Sequence, residues 1–119
     1  MSSALLAVSV DCGSPGRLAD FWAQALGYQA RRELPSGTHL IARDEQTMPW
    51  LAFIHVPDAK HAKNRLHLDL QPDDQQAEVE RLIALGATRI DVGQPADAPW
   101  VVLADPEGNE FCVLPPRRP

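Results

Sequence analysis

Val8-Ser-Val-Asp-Cys-Gly-Ser-Pro15 leads into a helix-like segment that ends at Ala25-Leu26-Gly27, and Leu66-His-Leu-Asp-Leu-Gln-Pro72 leads into another that ends at Ala84-Leu85-Gly86. The two Ala-Leu-Gly endings stand about 59 residues apart, half the length of the chain, and a period this long marks duplicated supersecondary units. The spacing predicts two similar halves, with any site lying between them.

Working outward, Leu5 to Asp11 alternates, with Leu6, Val8 and Val10 on one face and Ala7, Ser9 and Asp11 on the other, as a half-buried strand does. Ser14 is a candidate helix cap and Pro15 suits a first turn. Leu18, Phe21, Trp22, Ala25 and Leu26 then form an apolar stripe at helical spacing, and Gly27 stops it. Strand-like runs follow around Tyr28–Glu33, Thr38–Arg43 and Trp50–Val56, separated by turn-forming residues. Pro57 to Asn64 reads as a polar crossing loop.

In the second half, Arg65 to Leu70 alternates strictly, with Leu66, Leu68 and Leu70 facing one way and Arg65, His67 and Asp69 the other. Pro72 is the expected first-turn proline of the next helix, beside Asp73 and Asp74, whose charges suit a helix N-terminus. Val79, Leu82, Ile83 and Leu85 supply its apolar face. Runs at Ala87–Val92, Trp100–Ala104 and Glu110–Leu114 complete a second βαβββ pattern. The fold class expected is α+β, with one module at about 1–57 and the other at about 64–116.

A chain of 119 residues suits one compact domain that buries roughly two-thirds of the surface its unfolded form exposes. The net charge is −5, and the basic residues Lys60, Lys63, Arg65, Arg117 and Arg118 are not interleaved with aromatics, so nucleic acid is not the expected partner. No apolar run approaches the roughly 20 residues that cross a bilayer, and no basic segment precedes an apolar signal core. A cytoplasmic location is expected. Cys12 and Cys112 have neither zinc-site spacing nor disulfide-scaffold density and are expected as reduced thiols.

With the leucine and valine faces packed under the helices, the opposite strand faces line a trough whose candidate residues are Ser9, Asp11, His67, Asp69, Glu110 and Cys112. Such a polar set is either wet or built to hold a polar ligand. The same pattern also describes an ordinary solvent-facing sheet, and periodicity weighs the two equally.

Leu18-Ala-Asp-Phe-Trp22, Lys63-Asn-Arg-Leu-His-Leu-Asp-Leu70 and Asp105-Pro-Glu-Gly-Asn-Glu-Phe-Cys-Val-Leu114, set in the duplicated βαβββ frame, resemble the vicinal oxygen chelate superfamily, and in particular its glyoxalase/bleomycin-resistance/dioxygenase branch. The resemblance covers nearly the whole chain. It implies a single glyoxalase-like domain over 1–119, with a curved, barrel-like sheet and the helices on its outer face. Relatives that use a metal hold a divalent ion through four side chains, and the ion polarises a substrate carrying neighbouring oxygens. Only His67 matches those positions clearly. The others fall on Ala7, Ile54 and Cys112, and alanine and isoleucine ligate nothing. The resemblance thus implies a largely lost metal site, since His67 and Cys112 make at most two donors unless His55 or Asp69 helps. No metal and no cofactor are expected.

Each candidate residue has a plainer role beside the functional one. His67 is either a hydrogen-bonding residue of the trough or, held by Asp69, a general base. Asp69 orients that ring or pairs with Arg65. Cys112 is a nucleophile if His67 lowers its pKa, and otherwise a small apolar filler, the preferred reading. Trp50 and Trp100 each start a late strand after a proline-containing loop, where flat aromatics can sandwich a planar ligand, as they do in the resistance proteins this chain resembles. Trp22 is a core residue. His39, His55 and His61 share no metal spacing, and Asp73, Asp74, Glu78 and Glu80 form a solvated face.

Three functions stay open. The first is a small-molecule-binding module that holds a planar or oxygen-rich ligand with Trp50 and Trp100 stacking and His67, Asp69 and Glu110 hydrogen-bonding. The second is a metal-dependent lyase, isomerase or dioxygenase using His67. The third is an assembly unit, because the resemblance implies a homodimer.

Overall fold

Each half runs strand, helix, then three strands, and the two sheets share one strand order. The computed structural model describes residues 2–117, and Arg118 lies outside the described residues. The chain divides into two compact units, Met1–Ala59 and Lys60–Pro119. Unit 1 contains β1 (Ala7–Cys12), α1 (Pro15–Leu26), β2 (Ala30–Glu33), β3 (His39–Ala42) and β4 (Trp50–His55). Unit 2 contains β5 (Asp69–Leu70), α2 (Gln75–Leu85), β6 (Thr88–Arg89), β7 (Val101–Ala104) and β8 (Glu110–Val113). The four-stranded sheets are ordered β1-β4-β3-β2 and β5-β8-β7-β6, and neither closes on itself. In each, the first strand runs parallel to the last and the other pairs are antiparallel. The sequence repeat is therefore a repeat of topology, in an α+β protein of two four-stranded mixed sheets and two helices. No helix among the described residues is long and apolar enough to cross a membrane.

In unit 1, α1 packs on β3 and β4 and buries Leu18, Ala19, Phe21, Trp22 and Ala25, the stripe its sequence carries. Trp22 is a core residue and meets Phe21 edge to face, with ring centroids 5.2 Å apart. Ser14 stands at the N-cap position without a side-chain capping bond; its carbonyl accepts the Leu18 N–H at 3.0 Å. Gly27 ends the helix in the left-handed region at φ 68°, where a side chain would be strained. β1 starts at Ala7 rather than Leu5, and both Leu5 and Leu6 are exposed.

Unit 2 departs more from expectation. Only Asp69 and Leu70 of the expected strand 65–70 pair with β8, and Leu66, expected inside, is 85% exposed. Just upstream of that segment the Glu110 carboxylate accepts the Asn64 N–H at 3.0 Å, so a side chain holds the backbone there, while the Leu68 carbonyl still accepts the Cys112 N–H at 2.9 Å. α2 begins after Asp74, not at Pro72, because the Asp74 carboxylate caps it by accepting the Ala77 N–H at 3.1 Å. Its buried residues are Val79 and Leu82, whereas Ile83 is exposed. β6 stops at Arg89, short of Val92, where side-chain acceptors again win. Gln94 Oε1 takes the Val92 N–H at 2.9 Å and Asp91 Oδ1 takes the Gly93 N–H at 2.7 Å.

Candidate functional site

The parallel register of β5 and β8 sets Asp69 opposite Cys112, and the antiparallel register of β8 and β7 sets Cys112 opposite Val102. Side chains on one sheet face recur every second residue, so His67, Asp69, Glu110, Cys112 and Leu114 share that face. The reverse face carries Phe111, Val113 and Leu103, all fully buried, and α2 packs on β8.

On the open face lies a depression of about 410 Å³ whose lining belongs to unit 2. Val92, Val102 and Leu114 make its lining mostly apolar, with Trp100 beside them. Lys63, His67, Asp69 and Cys112 add polar groups, and Gln94 and Glu110 complete the wall. His67 Nε2 stands 3.3 Å from Asp69 Oδ1, so of the two partners open to Asp69, His67 rather than Arg65 is the one engaged. Both side chains are about half exposed, and the pair is an orienting contact more than a source of stability.

Cys112 is partly buried and its thiol hydrogen-bonds to Asp69. Burial pushes the thiol above its ordinary pKa, the Asp69 charge and hydrogen bond push it further, and Lys63 only partly opposes them. The lowering expected from His67 is not among the causes; burial and the Asp69 carboxylate set the direction. A raised pKa leaves little thiolate near neutral pH, which weakens the nucleophile reading. Replacing Asp69 with Asn removes one of these causes, so alkylation of Cys112 by iodoacetamide at pH 8 is expected to run several-fold faster in D69N than in the parent. Peptide mass spectrometry separates it from Cys12, which is buried with its Sγ 3.6 Å from the Ile54 carbonyl. Equal rates remove Asp69 as a cause.

Glu110 is 6% exposed and already committed. Lys60 Nζ lies 2.7 Å from it, and the Asn64 N–H donates to it at 3.0 Å. Burial alone raises its pKa, but the Lys60 ammonium, the Asn64 N–H and its own N–H outweigh burial and leave it below the ordinary carboxylate value. Glu110 thus anchors the loop that carries Lys63 and His67.

Trp100 is half-buried at the depression. Trp50, by contrast, is buried in unit 1 against Ala30 and Ala42, with the Arg32 guanidinium 5.1 Å from its ring centroid. That face of the indole already carries a cation–π partner. Ser9 and Asp11 are exposed on β1, and Ala7 and Ile54 are half-buried in unit 1. Lys63 and Gln94 were not expected at a site. Lys63 sits in a segment that reads as connecting loop, and Gln94 follows a strand that ends early.

The ligand atoms of His67, Asp69 and Cys112 all lie within 4.8 Å of one another. Asp69 supplies the third donor that the sequence left open. A nitrogen, an oxygen and a sulfur fit a zinc-like cation better than magnesium or manganese, which prefer oxygen ligands.

The same frame recurs in solved structures that share little sequence with this chain. A glyoxalase/bleomycin resistance protein/dioxygenase family enzyme from Burkholderia phytofirmans PsJN is 20% identical, with a TM-score of 0.71 over 95% of this chain and 98% of that one. An antibiotic binding protein from Streptomyces sp. CB03234 is 19% identical, with a TM-score of 0.62 over 98% of each chain. The genomically encoded fosfomycin resistance protein of Listeria monocytogenes, in complex with Mn(II) and a dihydroxypropylphosphonic acid, is 12% identical, with a TM-score of 0.69 over 96% of this chain and 90% of that one. Among curated proteins, none matches. The sequence model of the glyoxalase-like domain matches residues 7–114, from the start of β1 to the residue after β8. With both βαβββ modules inside that span, the chain belongs to the glyoxalase-like domain family.

Proposed function

We propose that the protein binds a small, planar or oxygen-rich molecule in the depression of unit 2. The observation that carries this reading is an apolar lining flanked by Trp100 with Lys63, His67 and Asp69 at its polar wall. An apolar surface with a few convergent polar groups is what a small-ligand seat needs, the former for affinity and the latter for orientation. In this role Trp100 stacks on the planar part of the ligand, and His67, Asp69 and Lys63 hydrogen-bond its oxygens. Glu110 is spent on Lys60 and Asn64 and acts by holding the loop. The Streptomyces structure, an antibiotic binding protein on the same frame, supports the reading by analogy of fold. Trp50 has no part in the proposed seat.

A screen of planar phenolic and polyketide-like compounds by thermal shift tests this directly. A ligand present at a hundredfold excess over its Kd stabilises the folded protein by about 2.7 kcal/mol. Trp100→Ala is expected to weaken binding about tenfold or more, since a lost aromatic stack and its buried area are worth at least ~1.4 kcal/mol together. Binding unchanged in W100A overturns the proposed seat.

A second reading, a metal-dependent lyase, isomerase or dioxygenase using His67, is favoured by the convergence of three donors on one face. A bound cation would supply Lewis-acid polarisation of substrate oxygens there. Of the chain's own groups, Asp69 orients the His67 ring and Trp100 lines the seat beside them. A homodimer and a cytoplasmic location belong to the same proposal, and light scattering across a wide concentration range checks the former.

A further inference from the structure

We infer that Cys112, Asp69 and His67 together form a seat, contained within unit 2, for one thiophilic divalent cation of the zinc, cobalt(II) or cadmium type, which discriminates against magnesium and manganese. The backbone places these donors. Asp69 and Cys112 are register partners on neighbouring parallel strands, and His67 lies two residues before Asp69 on the same face. Their ligand atoms gather within 4.8 Å, and His67 Nε2 is 3.3 Å from Asp69 Oδ1. Tetrahedral zinc bonds of about 2.0–2.3 Å put neighbouring donor atoms roughly 3.3–3.7 Å apart. The His67–Asp69 spacing already meets that value. The widest separation is about an ångström too long, a gap that rotation of an exposed side chain closes.

Selectivity follows from the chemistry of the set. Magnesium and manganese favour sites rich in oxygen donors. The second carboxylate on this face, Glu110, is held by Lys60 at 2.7 Å and by the Asn64 N–H at 3.0 Å, so it is not available to supply more oxygen. What remains is one sulfur, one imidazole and one carboxylate. Three protein donors leave a coordination position open, and the exposure of His67 and Asp69 provides an approach from solvent. Asp69 lies outside the four positions implied by resemblance, two of which are Ala7 and Ile54. His67 and Cys112 fall on the other two, so the recruitment of Asp69 in place of the missing pair is what belongs to this chain.

Loading breaks the Cys112 S–H bond and forms a sulfur–metal bond, and the proton leaves to solvent. The inference rests on reading this depression as the site, but its test needs no organic ligand. The reduced full-length protein is titrated with cobalt(II) and followed by the near-ultraviolet sulfur-to-cobalt charge-transfer band, with stoichiometry from elemental analysis. One equivalent is expected to bind with that band, and C112S should lose it. H67Q and D69N alter exposed side chains, and each is expected to weaken cobalt binding about tenfold or more, the scale on which losing a group that holds the metal acts. Zinc should displace cobalt, whereas magnesium or manganese in about a thousandfold excess should not.

Absence of the band at saturating cobalt overturns the inference, as does a band that survives C112S, unchanged affinity in both H67Q and D69N, or ready displacement by magnesium. If cobalt fails to bind while a W100A-sensitive ligand still does, the cation seat alone is wrong. Cobalt bound through Cys112 together with W100A-insensitive ligand binding supports the cation seat and removes the ligand reading.

Discussion

Asp105→Ala is expected to destabilise the protein by about 3 kcal/mol, since it strips a buried carboxylate from several donors at once. Asp105 is 3% exposed. Its Oδ1 accepts the Glu107 N–H at 2.9 Å and the Asn109 N–H at 3.0 Å, and its two oxygens accept the Asn109 side-chain amide at 3.2 and 3.0 Å. Hydrogen bonds to a charged group contribute about 1.5–3 kcal/mol each, and donors left unsatisfied in the interior cost about 1–3 kcal/mol. Water reaching the partly exposed turn recovers part of that loss. The turn also delivers the chain into β8 at Glu110, with Gly108 at φ 89° supplying a conformation that a side chain would strain. Urea unfolding should show a lower midpoint with an unchanged slope, and Asp105→Asn, which keeps one acceptor oxygen, should lose less. A loss below about 1 kcal/mol in D105A would mean that the turn holds without its carboxylate.

The chemistry of that turn is local, with Asp105, Gly108 and Asn109 at fixed offsets inside the segment that carries the family resemblance, so it can be read without a partner elsewhere. The Ala-Leu-Gly endings and the α1 stripe were legible for the same reason, since periodicity and a helix-stopping glycine need no partner elsewhere. Strand lengths in unit 2 were not. Leu66, Leu68 and Leu70 alternate as a paired strand should, yet the register with β8 covers only Asp69 and Leu70, and Leu66 is 85% exposed. Alternation reports which way side chains point, not whether the backbone finds a neighbour.

The site divides along similar lines. His67, Asp69 and Cys112 were picked from strand alternation; the register sets Asp69 opposite Cys112, and His67 Nε2 stands 3.3 Å from Asp69 Oδ1. Their mutual distances were hidden, because the pairing of Asp69 with Cys112 depends on two strands more than 40 residues apart in sequence. The roles of Glu110 and Trp50 were hidden as well. Glu110 faces the depression as its alternation indicates, but Lys60 and Asn64 arrive there through a loop with no pattern of its own. Trp50 and Trp100 begin corresponding strands, and the partners that distinguish them lie elsewhere in the chain: Ala30, Ala42 and Arg32 enclose Trp50.

Acidification is expected to weaken the protein through Glu110, and Glu110→Ala should cost about 2–4 kcal/mol. The substitution leaves the Asn64 N–H without its acceptor and the Lys60 ammonium, which is 22% exposed, without its counter-charge, though the Ala62 carbonyl still accepts from it. Breaking a buried pair by removing one partner typically costs about 3–5 kcal/mol, and the partial exposure of Lys60 lowers the figure here. The pH dependence has a fixed sign. Folding depresses the Glu110 pKa below its ordinary value of 4.5, so the folded state favours the ionised form. The resulting stabilisation is fully present above the unfolded pKa and fades as pH falls from there through the folded pKa. Glu110→Gln cannot take up that proton, so its stability should fall less steeply than the parent's below about pH 4.5, the two curves converging in acid. Releasing this anchor also frees the loop carrying Lys63 and His67, so E110Q should weaken ligand binding at neutral pH even though the substituted residue offers similar volume and hydrogen-bonding capacity. Parallel acid limbs for parent and E110Q would place the titrating group elsewhere. Unchanged binding in E110Q would show that the loop keeps its course without the Lys60 ion pair.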